Sequence, residues 1–256
     1  MKKMRYLQGF VLFLMLSLLF LPATPSLALA KSQTAPLNLP IGLLLRSNQM
    51  IDYLNARLLP GDVVLKVTSG KSKDLQPLTK IRVAQKMIGF PKTYSGDPSK
   101  ILAEAKSKGI LMVGYDLEGS LTVQEKVKRE QQLYQAAKRQ GLTFMFNPGH
   151  RNLERNYKSY APYTDAFLFG SQGYQHLDNY AQIVAQKVAQ FKQAKPGIQV
   201  WVQVSVNPPG DPNRSAQKVL ADIKAIAPVA DGIFIYYDPE RWAVVQAILD
   251  EIRPPR

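Results

Sequence analysis

Residues 113–119 read VGYDLEG, and the acids Asp116 and Glu118 close an otherwise apolar run. Residues two apart in an extended strand point to one side, with Cα atoms roughly 6–7 Å apart. Two carboxyls that close cannot both ionise freely, so one pKa should rise. A carboxyl raised in this way can exchange protons near neutral pH, which is what general acid–base chemistry requires. The competing structural explanation is that Asp116 caps the following helix and Glu118 pairs with a cation at the rim. Other apolar runs end in residues that can hold a polar ligand. NPGHR brings Asn147, His150 and Arg151, and SQGYQ brings Gln172, Tyr174 and Gln175. The run over 199–207 carries Gln203, Ser205 and Asn207, and the last run leads to Tyr236, Tyr237, Asp238 and Glu240. From these, Glu118 and Asp116 are the candidate catalytic pair. Asn147, His150, Gln172, Tyr174, Gln203, Asn207, Tyr237 and Asp238 are the candidate substrate-binding set. Amides, carboxylates and aromatic faces together suit sugar hydroxyls and rings.

These residues need a scaffold that gathers strand ends. Strand-like runs occur at 42–46, 62–67, 80–89, 110–116, 143–147, 165–170, 199–207 and 232–238. The segment between Val67 and Lys80 is too short for a full helix. Farther on, the runs alternate with helices. Thr122 and Glu125 form a capping box, and Gly141 closes the helix they open. Asp97-Pro98 begins a helix that runs to about Lys108. Asp178 is the expected cap of a helix with Tyr180, Ile183, Val184, Val188 and Phe191 on one face. The last helix places Trp242, Val245, Ile248, Leu249 and Ile252 together. Such alternation predicts parallel βαβ units. Eight strands make a (β/α)8, TIM-like barrel in a single domain the expected α/β fold, with an open doubly wound sheet as the alternative. The run over 199–207 decides for the barrel. Its valines at 200, 202, 204 and 206 face one way, and Trp201, Gln203, Ser205 and Asn207 the other, whereas an open sheet is usually apolar on both faces. In a barrel, functional residues gather at the carboxyl ends of the strands, where the polar set above falls.

With the barrel expected, YDLE at the end of the fourth strand resembles the strand-four motif of family 18-type glycoside hydrolases, a D-x-x-D-x-D-x-E run ending in the catalytic acid. The resemblance implies that Glu118 is the proton donor and that Asp116 orients an N-acetyl group of the substrate. It also implies a supporting tyrosine at Tyr174 or Tyr237. The two earlier aspartates of that motif are absent. The function expected on this basis is a secreted glycoside hydrolase-like protein acting on an envelope or extracellular polysaccharide. Asp238 or Glu240 is the candidate opposite carboxylate. One alternative is a non-catalytic glycan-binding barrel. Another is a metal-dependent hydrolase holding its ion on His150, Asp116 and Glu118, since NPGHR faintly resembles the His-Arg pair of glycerophosphodiester phosphodiesterases. The chain contains no nucleophile elbow, dinucleotide fingerprint or P-loop, and no cysteine, so no cofactor and no cysteine nucleophile are expected.

The first thirty residues join Lys2, Lys3 and Arg5 to an apolar stretch and end Ala28-Leu29-Ala30, the pattern of an export signal cut after Ala30. Secretion or a periplasmic location is therefore expected, with no stable membrane span after cleavage. Residues 31–40 read as a linker, and 41–256 as the barrel domain. Three of the 33 basic residues and none of the 19 acids lie in the signal, so the remainder carries about +11. That excess fits an anionic partner such as a wall glycan, and export argues against nucleic acid. A monomer is expected. Arg151, Arg155 and Lys158 fall on one side of a helix predicted over 152–160. They form either an anion-binding stripe or a solvated face. Trp242 is expected in the core, and Trp201 inside the barrel or at a sugar platform.

Overall fold

The computed structural model describes residues 37–256. The export signal expected over residues 1–30 lies outside the described residues. The eight strands are β1 (Ile41–Leu44), β2 (Val63–Val67), β3 (Gln85–Phe90), β4 (Met112–Asp116), β5 (Thr143–Asn147), β6 (Ala166–Gly170), β7 (Gln199–Ser205) and β8 (Gly232–Tyr236). Each pairs in parallel with the next, and β8 returns to β1, closing the barrel. The helices that follow them in turn are α1 (Ile51–Asn55), α2 (Gln76–Thr79), α3 (Ser99–Ser107), α4 (Val123–Arg139), α5 (His150–Tyr160), α6 (Tyr180–Lys192), α7 (Ala216–Ile226) and α8 (Trp242–Ile252). The fold is a single-domain (β/α)8 barrel, and the open-sheet alternative falls.

Alternation along the strands separates two apolar layers. In β7, Val200, Val202 and Val204 pack outward with the helices, while Trp201 joins Val63, Met87, Met112, Met145, Ala166, Leu168 and Phe234 in a smaller inner cluster. The two largest inner side chains depend on missing ones beside them. A Cβ on Gly42 would lie 2.4 Å from the Phe234 ring, and one on Gly232 would lie 2.5 Å from Trp201. Both rings therefore fill the barrel next to glycines, at separations that no side chain would tolerate.

Local chemistry sets the element ends. Thr122 caps α4 with the full reciprocal capping box, and Gly141 takes φ 68° just beyond the helix. Residues 72–79 hold only a 3-10 turn and the four residues of α2, as the short connection required. That turn delays β3: Ile81 still donates its N–H to Leu78 at 3.1 Å, so pairing begins at Gln85 and not at 80. Likewise β7 ends at Ser205, because the Ser205 hydroxyl accepts the Asn207 N–H at 3.1 Å. The cap of α6 is Asn179, without a side-chain bond, in place of the expected Asp178. At the face opposite the mouth, Arg253 makes a bidentate pair with the fully buried Asp62 at 2.8 and 2.9 Å. The same guanidinium donates to the carbonyls of Leu37 and Leu39, each at 2.6 Å, and Asp62 accepts the N–H of Ile41 at 2.8 Å.

Candidate active site

The carboxyl ends of the strands open into a cavity of about 450 Å³. Its floor is apolar and comes from inward strand positions, with Leu44, Leu65, Met87, Met145, Leu168 and Phe234 contributing. Its rim carries Arg46, Asp116, Glu118, Asn147, Gln172, Gln203 and Tyr236. Gly89 and Gly114 face the same space and keep the β3–β4 wall open.

Asp116 is the last residue of β4 and pairs in register with Asn147, the last of β5. Leu117 turns outward into the core, which returns Glu118 to the mouth. The Asn147 amide donates to Glu118 at 3.5 Å, while its oxygen accepts the Gly149 N–H at 3.0 Å. Asp116 is exposed to solvent in the mouth, and the surrounding walls partly desolvate its carboxyl. That desolvation, followed by the charge of Glu118, pushes its pKa up to about 6. A backbone N–H from Glu118 and the ammonium groups of Lys92 and Lys126 partly oppose the shift. Across the barrel, Gln203 donates to Gln172 at 3.3 Å. The Arg46 guanidinium lies against the rings of Tyr236 and Tyr237, 5.5 and 5.2 Å from their centroids, and 4.0 Å from Asp238.

Five predicted residues thus share the mouth: Asp116, Glu118, Asn147, Gln172 and Gln203. The other five do not line it. Tyr237 faces the outer core, where its hydroxyl donates to the Leu44 carbonyl at 2.6 Å and its ring tilts against Trp242. It lies one residue after the inward Tyr236, so strand alternation carries it to the other side. Asn207 donates to Asp238, and both are taken up in that contact and in the Asp238–Arg46 approach. His150 and Tyr174 line a separate cavity beside α5. Arg46 and Lys126 were the omissions, while Tyr236 was named at its strand end but not placed in the binding set. Arg46 follows an apolar strand run, a signal that the sequence carried. Lys126 is fully buried on the inner side of α4, in phase with Glu130, Leu133 and Ala137, and donates to the Pro148 carbonyl at 3.1 Å. Burial lowers its pKa, and the charges of Glu118 and Asp116 work against that shift.

No group of three or more His, Asp or Glu side chains among the described residues is placed to hold a metal ion. The proposed set of His150, Asp116 and Glu118 is therefore not assembled: His150 opens α5 and turns toward Tyr174, with ring centroids 6.3 Å apart. None of the helices among the described residues is long and apolar enough to cross a membrane.

No family model and no curated protein matches the chain. Among solved structures, it is similar to tryptophan synthase of Mycobacterium tuberculosis. A ligand-free form of that enzyme, bearing a point substitution in TrpA, aligns with a TM-score of 0.58 at 13% identity, over 84% of this chain and 92% of that one. A second form of the same enzyme gives 0.53 at 13%, over 84% and 91%. A 3-keto-L-gulonate-6-phosphate decarboxylase from Vibrio cholerae gives 0.51 at 11%, over 86% and 98%. At these identities the likeness establishes the TIM-barrel fold alone. These barrels are enzymes of other chemistries, and the expected glycoside hydrolase function is withdrawn. What had carried it was a D-x-E at a strand end, which a barrel of any chemistry can place at its mouth. The supporting tyrosine fails as well, since Tyr237 is core and Tyr174 is bonded to Glu154 at 2.5 Å.

Proposed function

We propose that the mouth is an acid–base active site that moves a proton on a small, part-apolar molecule bearing oxygen functions. Asp116 is the group that gives and takes the proton. Desolvation holds the Asp116 pKa near neutrality, and the neighbouring charge of Glu118 adds to it. The amides of Asn147, Gln172 and Gln203 orient substrate oxygens, and Arg46 supports negative charge that develops on them. The apolar floor receives the carbon part of the molecule. A cavity of this volume takes a metabolite-sized molecule. The observation that carries the proposal is the Asp116 carboxyl at about 6 in a concave site whose remaining polar groups converge on it.

The test is solvent deuterium exchange. A panel of small keto acids, hydroxy acids and ketoses is incubated in D2O with the protein, and loss of C–H signal is followed by proton NMR. Exchange by the wild type, reduced at least about 100-fold in Asp116→Asn, is the expected result. No exchange with any compound, together with an Asp116 carboxyl that titrates at the ordinary aspartate value by carbon-13 NMR, would sink the proposal.

A further inference from the structure

Beside the mouth, on the other side of the turn from Pro148 to His150, lies a second cavity of about 520 Å³. His150, Arg151, Glu154, Arg155 and Tyr174 line it. The turn is thin: a Cβ on Gly149 would lie 3.4 Å from Cγ of Glu118. A ligand seated here is therefore one backbone turn away from the carboxylate pair.

The charge balance of this cavity is uneven. Its single acid, Glu154, is already occupied, accepting from the Tyr174 hydroxyl at 2.5 Å and pairing with Lys187 at 3.4 Å. Arg151 and Arg155 stand one helical turn apart, are exposed, and form no ion pair among the described residues. Arg151 is near enough to Tyr174 to favour negative charge on its hydroxyl. Two guanidinium groups therefore face the cavity without a counter-charge. A phosphate monoester, with a charge of about −1.5 to −2 at neutral pH and three acceptor oxygens, matches two such forks in charge and in geometry. A single carboxylate would neutralise only one of the two charges.

We infer that this cavity is a phosphate-binding subsite and that the substrate turned over at Asp116 and Glu118 carries a phosphoryl group. The second half of the inference rests on the proposed acid–base function. The first half does not, so the two are tested apart. Inorganic phosphate is titrated into the full chain by calorimetry at constant ionic strength, with chloride as the control anion. The wild type is expected to show saturable binding, and the double variant Arg151→Gln/Arg155→Gln to bind at least tenfold more weakly. Arg155→Lys, which keeps the charge but loses the fork, is expected to fall between wild type and double variant. Absence of saturable phosphate binding, or binding that the double substitution leaves unchanged, overturns the subsite. The exchange panel then includes each compound with and without a phosphoryl group. Preference for the phosphorylated member, lost in the double variant, supports the assignment of substrate class. Equal exchange of both members overturns that assignment while leaving the acid–base function standing.

Discussion

Asp116 joins function to stability through one proton. Its pKa rises from 3.8 to about 6 in the folded chain, so the folded state binds the proton more tightly than the unfolded state. The stability linked to this carboxyl is complete below about pH 4 and is lost as pH rises through about 6. Asp116→Asn should therefore stabilise the protein at pH 7.5 while abolishing exchange. Allowing for solvent in the mouth, the gain should be about 1 kcal/mol, read from urea unfolding. As a base, Asp116 should also make exchange rise with pH through about 6. Glu118→Gln removes the nearby charge but not the desolvation, so it should move that midpoint down without restoring the ordinary value. An unchanged midpoint would mean that the two carboxyls do not interact. Tyr237→Phe tests the opposite class of residue. It leaves the Leu44 carbonyl short of a donor and should cost about 1–3 kcal/mol without altering exchange. The two acids were legible in the sequence because their i, i+2 spacing puts them on one side of a strand. Tyr237 was misplaced because an adjacent pair of tyrosines at a strand end does not announce which of them faces inward. Only the register of β8 decides that.

Helix α4 is a capped scaffold with a burdened inner side. The Thr122 box and Gly141 fix its ends as its sequence predicts. Its buried side, however, holds Lys126 and Glu130 beside Leu133 and Ala137. Charged residues on a helix invite the assumption of a solvated face, which hid Lys126 from sequence reading. Glu130 is fully buried, and neither of its carboxyl oxygens has a hydrogen-bond partner among the described residues. Burial pushes its pKa up to about 10, and only the charge of Lys195 opposes this. The folded chain thus keeps a proton that the unfolded chain releases near 4.5. Stability should fall as pH rises between those values, by up to about 1.4 kcal/mol per pH unit. Glu130→Gln cannot ionise and should flatten that slope, as measured by urea midpoints at pH 6, 7 and 8. An equally steep slope in the variant would place the titration elsewhere.

At the scale of the molecule, the two faces of the barrel divide the work. The carboxyl ends of the strands carry the cavity and its titrating groups. The opposite face carries the buried Asp62–Arg253 pair, with both partners almost wholly removed from solvent. Arg253→Met would leave Asp62 uncompensated and should destabilise the protein by about 3–5 kcal/mol, with little effect on phosphate binding. Melting curves beside the calorimetric titration separate the two effects. All eight strands were visible as apolar runs, and β7 alone chose the barrel by alternating valine with polar and aromatic residues. The sequence did not show how Arg253 and Asp62 would meet, because they are 191 positions apart. Pairing at that range follows from closure and leaves no local pattern.

That range has a consequence for how the chain is made. The seam between β1 and β8 joins the first strand to the last, and Arg253 ties its base. A ribosome must therefore translate through β8 before the barrel can close. Until then β1 offers an unpaired edge, and the nascent chain depends on whatever protects exposed strands during synthesis. Closure waits for the last strand, and Arg253 locks the base of the seam only afterwards.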